Sequence, residues 1–492
     1  MIQIDLSDPS TFTLVVAGLL VAVDLLVRLL ALIYVPKNRR PQTAMAWLLA
    51  IFFIPYFGVI LFLLLGNSKL PRSRRRKQDE INEYIHAGTE GMDDVKHDPP
   101  WPAWLEPIIE LNRNLGAMPM VGGNNGVLLP DYEKSIEAMT DAVRAARSTV
   151  HVEFYILSLD QTTAPFFDAL EDAVTRGLDV RVLLDHVASI RTVGNRKTVR
   201  RLTSMGAQWH YMLPVRPWRG QWQRPDLRNH RKLIVVDSTI AFTGSQNFID
   251  SSYNKKGNIR RGLHWKDLMV RFEGPIVAGI DALFATDWYA ETDELLLRPV
   301  EIPRPVKESP LDAQVVPSGP GFEGENNLRL FNSLLYAATK EVIITSPYFV
   351  PDGSMLYAIT TAAQSGLDVQ LFASEIGDQF VVYHAQRSYY EELLRAGVRI
   401  WLYKAPTVLH AKFFTIDGEV AVIGSSNMDM RSFALDQEIS VMLRGKTMID
   451  DLQELQEQYR GDSRELTLEE WLKRSRVAAA FDNIARLAAA LQ

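Results

Sequence analysis

Asn229-His230-Arg231-Lys232-Leu233-Ile234-Val235-Val236-Asp237, continued by Gly244-Ser245-Gln246-Asn247, has a counterpart later in the chain. That second copy runs His410-Ala411-Lys412-Phe413-Phe414-Thr415-Ile416-Asp417 and then Gly424-Ser425-Ser426-Asn427. In both, Lys follows His by two positions, Asp by seven, Gly by fourteen, Ser by fifteen and Asn by seventeen. Matched residue types at matched spacings mark an internal duplication.

The apolar runs Leu233–Val236 and Phe413–Ile416 are rich in β-branched and aromatic residues and predict buried strands. Residues i and i+2 share a strand face, so His230 points with Lys232 and His410 with Lys412. Asp237 and Asp417, at an odd offset and beside Ser238 and Gly418, face away as the tips of hairpins. Return strands at Ile240–Thr243 and Val420–Ile423 bring Ser245, Asn247, Ser425 and Asn427 back toward the His and Lys. A nucleophile, a fixed cation and small polar donors at one spot form a phosphate site.

Outward from the motifs, strands and helices alternate. The first half reads as a strand at 126–129, a helix over 132–147, a strand at 150–156, a helix over 164–176 and a strand at 178–184. The second reads as a helix over 326–339, a strand at 341–344, a helix over 354–365 and a strand at 367–372. Arg176-Gly177-Leu178-Asp179-Val180 is echoed by Ser365-Gly366-Leu367-Asp368-Val369. The fold class is therefore α/β, with two copies of one unit contributing half-sites to a single shared cleft.

At 492 residues the chain exceeds one compact core, and its composition, 47% hydrophobic, is that of a globular protein. It has no cysteine, which excludes disulfides and thiolate metal sites. The formal charge of -6 conceals an asymmetry, because residues 1–77 carry ten Lys or Arg against three Asp, leaving -13 for the rest. The basic part is also the apolar part. Residues 11–35 are interrupted only by Asp24 and Arg28, and 43–65 carry no charge. Both are long enough to span a bilayer, which takes about 20 residues, so two transmembrane helices are expected. Asp5 and Asp8 at the start argue against a cleaved signal peptide. Asp24 and Arg28, one turn apart, are placed to pair on a face that meets protein. The basic cluster from Lys69 to Lys77 exceeds that of loop 36–42 and places the large C-terminal part in the cytoplasm. It also suits anionic headgroups.

Trp101 and Trp104 fit either a membrane interface or packing on the body. The Arg- and Trp-rich segment 215–225 fits headgroups or another anionic substrate, and its composition also suits single-stranded nucleic acid. The membrane helices and the negative soluble part argue against a nucleic-acid partner. His86, His97, His151, His186 and His210 lack a repeated counterpart and read as surface or packing residues. His264 and His384 read as either cleft or packing residues.

With both His-x-Lys-x4-Asp motifs placed, the chain resembles the phospholipase D superfamily and, more narrowly, its bacterial cardiolipin synthases. The narrower likeness rests on Glu153-Phe154-Tyr155-Ile156, Asn229-His230-Arg231-Lys232, Thr243-Gly244-Ser245-Gln246-Asn247, Trp265-Lys266-Asp267, Pro347–Asp352, Asn427–Phe433 and the apolar N-terminus. The resemblance implies duplicated phospholipase D-type domains with mixed sheets. The organisation is then a membrane anchor (1–77), a connector (78–120), a first domain (121–298), a linker (299–320) and a second domain with C-terminal helices (321–492). It implies phosphatidyl transfer between two phosphatidylglycerol molecules through a phosphatidyl-histidine intermediate, in a bacterial inner membrane. His230 is expected as nucleophile and His410 as acid and base. Lys232, Lys412, Asn247, Asn427, Ser245 and Ser425 are expected on the phosphate, with no metal and no cofactor. A carboxylate orients each His: Glu438, 28 residues on, for His410, and Asp267, 37 residues on, for His230. Asp237 and Asp417 complete the signature but read as supports of the hairpins. A hydrolase or another alcohol acceptor, and a non-catalytic membrane scaffold, are the alternatives. The sequence leaves a homo-oligomer open.

Overall fold

The computed structural model describes residues 9–67, 69–90, 100–296, 306, 310–322 and 324–487. Asp5, Asp8, His97 and most of 299–309 lie outside the described residues. The chain divides into two units, 1–69 and 70–492.

In the first unit, helix α1 (Pro9–Tyr34) includes an apolar run, Thr13–Tyr34, long enough to cross a membrane. The second apolar stretch differs from the single span expected. It breaks at Ile54-Pro55 into α2 (Pro41–Phe53) and α3 (Pro55–Leu65), each shorter than the roughly 20 residues a crossing needs. The physical reason is Pro55, which lacks an N–H and bars the preceding residue from helical geometry. Asp24 and Arg28 do pair, at 2.7 Å, and Arg28 also donates to the Phe52 carbonyl at 2.9 Å, so that face of α1 meets protein.

In the second unit, the strands of the first half are β1 (Met120–Leu129), β2 (Thr149–Phe154), β3 (Asp179–Asp185), β4 (Gln208–Met212), β5 (Arg228–Asn229), β6 (Lys232–Val236), β7 (Ile240–Gly244), β8 (His264–Lys266) and β9 (Met269–Glu273). Those of the second are β10 (Leu311–Ser318), β11 (Glu341–Thr345), β12 (Phe349–Val350), β13 (Asp368–Ser374), β14 (Arg399–Tyr403), β15 (Thr407–Leu409), β16 (Phe413–Ile416), β17 (Val420–Gly424), β18 (Met428–Asp429), β19 (Asp436–Arg444) and β20 (Ser463–Leu466). Most of them form one mixed sheet in the order β4-β3-β2-β6-β7-β9-β1-β10-β19-β17-β16-β11-β13-β14-β20, with β5 paired to β19 off this path, while β8 with β15 and β12 with β18 form two small separate sheets. Read outward from the antiparallel β1·β10 pair, both halves follow the same path, and only β20 is extra. The duplication read from two motifs is thus a duplication of topology.

Local sequence explains the elements. Val150, Val152 and Phe154 alternate along β2 and are fully buried, each contributing about 1.5–3 kcal/mol by leaving water. Gly177 and Gly366, at φ 81° and 95°, close the helices Ala164–Thr175 and Gly353–Gln364 in the left-handed conformation that glycine tolerates best. Two expected boundaries move. Leu311–Ser318, inside the stretch read as linker, is β10, fully buried between β1 and β19. Helix α4 (Arg72–Gly88) runs from the end of the expected anchor into the connector, which also contains α5 (Glu106–Gly116), and Ile108 and Ile109 of α5 sit in the core of the second half. Trp101 and Trp104 pack against that core, and Trp101 Nε1 donates to Asp312. Two cations of the basic cluster bind the body: Arg74 makes a bidentate pair with Glu291, and Lys77 reaches Asp293.

Candidate active site

Each His stands just before a motif strand, where its backbone is registered against the other half of the molecule. β5 runs parallel to the start of β19, and the His230 N–H donates to the Gln437 carbonyl at 2.8 Å. β15 runs parallel to β8, and the His410 N–H donates to the Lys266 carbonyl at 2.7 Å. The residue after each acceptor is a carboxylate. Glu438 therefore lies 3.0 Å from His230 Nδ1, and Asp267 lies 2.7 Å from His410 Nδ1. This reverses the expected assignment, in which each carboxylate served the His of its own half. Counting along a repeat sees only partners within a copy, whereas the pairing here crosses the seam between copies.

The serines also differ from expectation. Ser245 Oγ donates to Asp267 at 2.6 Å and accepts the Leu268 N–H at 3.0 Å; Ser425 Oγ donates to Glu438 and accepts the Ile439 N–H at 3.0 Å. Both hydroxyls hold carboxylates in place instead of facing phosphate. The glycine before each serine has a steric cause, since a Cβ on Gly244 or Gly424 would lie 2.2 Å from the carbonyl of Leu268 or Ile439.

His230, His410, Asn247 and Asn427 line one cleft of about 820 Å³. Lys232 and Lys412 are buried beside them, each donating from Nζ to the carbonyl of its own His, and Lys412 Nζ also lies 3.1 Å from His410 Nε2. Asn247 Nδ2 donates to the Tyr253 hydroxyl, while Oδ1 of Asn247 and of Asn427 is buried without a partner. Among the described residues no group of three or more His, Cys, Asp or Glu is placed to hold a metal ion.

Burial sets the charge states. It lowers His230 to about 4 against the raising pull of Glu438, and lowers His410 against that of Asp267. Burial would raise Glu438, but His230, Lys232 and the Ser425 hydroxyl hold it at about 2; His410 and Lys412 likewise keep Asp267 below its usual range. Burial favours the neutral form of both imidazoles, with Nδ1–H toward the carboxylate; Nε2 of His410 meets Lys412 Nζ, and Nε2 of His230 has no protein partner among the described residues. Burial also lowers Lys232 to about 7 and Lys412 to about 8, and an arriving anion would favour the charged form of both.

Asp237 and Asp417 lie at the far ends of β6 and β16, away from the cleft, at φ 52° and 56°. Asp237 accepts N–H groups from Arg147, Ser148 and Thr149 at 2.7–3.0 Å; Asp417 does so from Thr339, Lys340 and Glu341 at 2.7–3.1 Å. Both tie a hairpin tip to a neighbouring strand, as strand geometry implies. Burial raises each carboxyl, and these donors more than offset it, so both titrate below the ordinary Asp value. Among the described residues, none of the lone histidines lines the cleft: His151 stacks on Phe284, His186 and His210 meet Tyr211 and Trp288 edge-on, His264 bonds Thr407 and His384 bonds Asp482. In segment 215–225, Trp218 and Trp222 are exposed and Pro225 reaches the cleft.

Several cleft residues lie in stretches that carry the family likeness, without a place in the cleft being read for them from the sequence. Tyr155 and Tyr348 meet His230 and His410 edge-on, with ring centroids 4.8 and 6.2 Å apart. Arg431 pairs with the buried Asp436, whose carboxyl burial pushes up to about 8 against that partner. The tyrosines leave one signal in the sequence, since each follows the strand that flanks its motif.

A duplicated α/β body with paired His, Lys and crossed carboxylates in one cleft defines a phospholipase D-type phosphoryl-transfer site. A family model described as "Cardiolipin synthase, PLD-like domain" matches residues 139–288 and 331–460, and one described as "Phospholipase D-nuclease N-terminal" matches 26–67. Cardiolipin synthase A of Proteus mirabilis (strain HI4320) is 34% identical over 89% of this chain and 90% of its own length. Cardiolipin synthase A of Pectobacterium carotovorum subsp. carotovorum (strain PC1) is 33% identical over 94% and 96%. The crystal structure of phosphatidylserine synthase from Haemophilus influenzae Rd KW20 shares the fold, with a TM-score of 0.60 at 14% identity over 78% of this chain and 99% of that one. The chain belongs to the cardiolipin synthase family of phospholipase D-like proteins.

Proposed function

We propose that this chain is a membrane phosphatidyltransferase that joins two phosphatidylglycerol molecules into cardiolipin and releases glycerol. The observation that carries the reading is the crossed pair of neutral histidines, each backed by a carboxylate and facing one cleft. His230 Nε2 attacks the phosphorus of the first lipid; a P–N bond forms, the P–O bond to glycerol breaks, and His410 protonates the departing oxygen. His410 then takes the proton from a hydroxyl of the second lipid, whose oxygen displaces His230 from phosphorus. Lys232, Lys412, Asn247 and Asn427 hold the non-bridging oxygens. The bound phosphodiester raises His410 into its protonated form, because a nearby anion favours the cation. His230 suits the nucleophile because its Nε2 has no protein partner among the described residues, whereas His410 Nε2 meets Lys412.

Purified full-length protein given phosphatidylglycerol alone should yield cardiolipin and glycerol by mass. Phosphatidic acid instead would assign a hydrolase, and no turnover in suitable lipid would overturn both. The reading places the chain in a bacterial membrane, with two spans and a cytoplasmic body. Because the chain has no cysteine, single cysteines in loop 36–42 and in the body, labelled from either side of sealed vesicles, test that arrangement. Labelling of the loop and the body from the same side would contradict two spans and leave α1 as the one crossing.

A further inference from the structure

The last described helix, Arg476–Leu487, lies on the helix Phe380–Ala396 with its apolar stripe turned outward. Val477, Phe481 and Ile484, four and three positions apart on one face, are 67, 52 and 64% exposed. The inward face carries Asp482, 1% exposed, held by His384 at 2.7 Å and Arg387 at 3.4 Å. A helix packed for stability alone buries its apolar side and leaves its charges in water. This one buries only the small Ala485 together with Asp482 and turns its larger apolar side chains outward, and the buried ion pair fixes the orientation.

The outward stripe runs into the wall of the cleft. The His384 ring lies 4.4 Å from Phe380 and 6.3 Å from Phe481. Phe380 is 70% exposed, and its neighbour Val381, 47% exposed, lines the cleft that holds His230 and His410. Arg191 and Lys255 also line that cleft, are exposed, and have no carboxylate partner among the described residues. Apolar side chains beside unpaired cations at the mouth of a lipid cleft match a bilayer that contains anionic headgroups.

We propose that Val477, Phe481 and Ile484, with Phe380 and Val381, dock the catalytic body onto an anionic bilayer so that the cleft opens at the headgroup level. This contact is separate from the N-terminal anchor, and it rests on the phosphatidyl-transfer reading of the cleft. It gives a two-chain lipid a route to His230 without leaving the membrane. A second copy of the chain seated on the stripe would instead cover the Val381 edge of the cleft.

The absence of cysteine permits a direct test on the full chain reconstituted into phosphatidylglycerol-containing liposomes. A nitroxide on Phe481→Cys should collide more with oxygen and less with a water-soluble nickel chelate than one on Thr239→Cys, at a hairpin tip remote from the cleft. Equal, water-like access at both positions overturns the proposal, as does dipolar broadening between labels on two chains, which would identify a second copy. The double variant Phe481→Ser/Ile484→Ser should lower cardiolipin formation at least fivefold in liposomes and less than twofold in detergent-mixed micelles. Equal losses in both overturn docking. Should the wild type make no cardiolipin, the transfer reading fails, and the spin-label arm still decides the docking face.

Discussion

The His230 half and the His410 half place the same six signature residues around matching strand pairs, yet what lies behind each His differs. Asn229 and Arg231 flank His230, where Leu409 and Ala411 flank His410. Glu153 pairs with Leu233 in the first half, and Thr345 takes the matching place opposite Phe413 in the second. Behind His230, Asn229 donates to Glu153 at 2.7 Å, and Arg231 binds Asp287 and donates to the Glu438 carbonyl at 3.1 Å, all four side chains being fully buried. Behind His410 the matching positions are apolar or, at Thr345, unpartnered. Duplication thus fixed the residues proposed to touch phosphate, while their backing diverged. A buried polar network of this kind, in which Glu153 Oε2 has no partner, holds the geometry of its bonded members more tightly than apolar packing does. That rigidity supports the role proposed for His230, since a nucleophile must meet phosphorus in line.

The comparison breaks most visibly at the histidines. His230→Ala and His410→Ala should each cut turnover by about four orders of magnitude or more, since the two act as one unit. Mass spectrometry on the His410→Ala protein should find a phosphatidyl group on His230; finding it on His410 in the reciprocal variant would swap the roles. The crossed carboxylates come next. Glu438→Gln should lower kcat by about two to four orders of magnitude by slowing formation of the intermediate, and Asp267→Asn by slowing its breakdown, so that only the second accumulates intermediate. Rapid-quench kinetics giving the opposite pattern would restore the within-half pairing.

Arg231→Ala should destabilise the body by about 3–5 kcal/mol, because it strands the buried Asp287 carboxylate. Adding Asp287→Ala should recover part of that loss in urea titrations; no recovery would mean that the pair is not the cause. Asp237→Ala should cost about 1–2 kcal/mol and reduce turnover far less than any cleft variant. The folded Asp237 value is depressed, so its contribution is fully present above the unfolded value of about 3.9 and is lost as pH falls through the folded one. The smallest effect sharpens the His230 pairing. The rate of intermediate formation should fall as pH drops through about 4, where His230 gains a proton, and Glu438→Gln should move that limb to lower pH, because the lost charge was raising His230. Movement upward would separate Glu438 from His230.

The sequence by itself determined the repeat, the strands, the two His/Lys pairs and the hairpin role of Asp237 and Asp417. Each of these depends on short-range spacing: alternation along a strand puts His and Lys on one face, and an αL-tolerant Asp beside Ser238 or Gly418 makes a hairpin tip. The ion pair between Asp24 and Arg28 was legible for the same reason, one helical turn being a local distance. Only the tertiary structure decided which carboxylate serves which His, because β5 meets β19 and β15 meets β8 across a seam that no spacing encodes. It also turned Ser245 and Ser425 onto those carboxylates, made a central strand of Leu311–Ser318, broke the second apolar stretch at Ile54-Pro55 and turned Val477, Phe481 and Ile484 outward. Most of these outcomes depend on contacts between residues far apart in the chain; the break at Pro55 is the local signal that apolar length alone obscures.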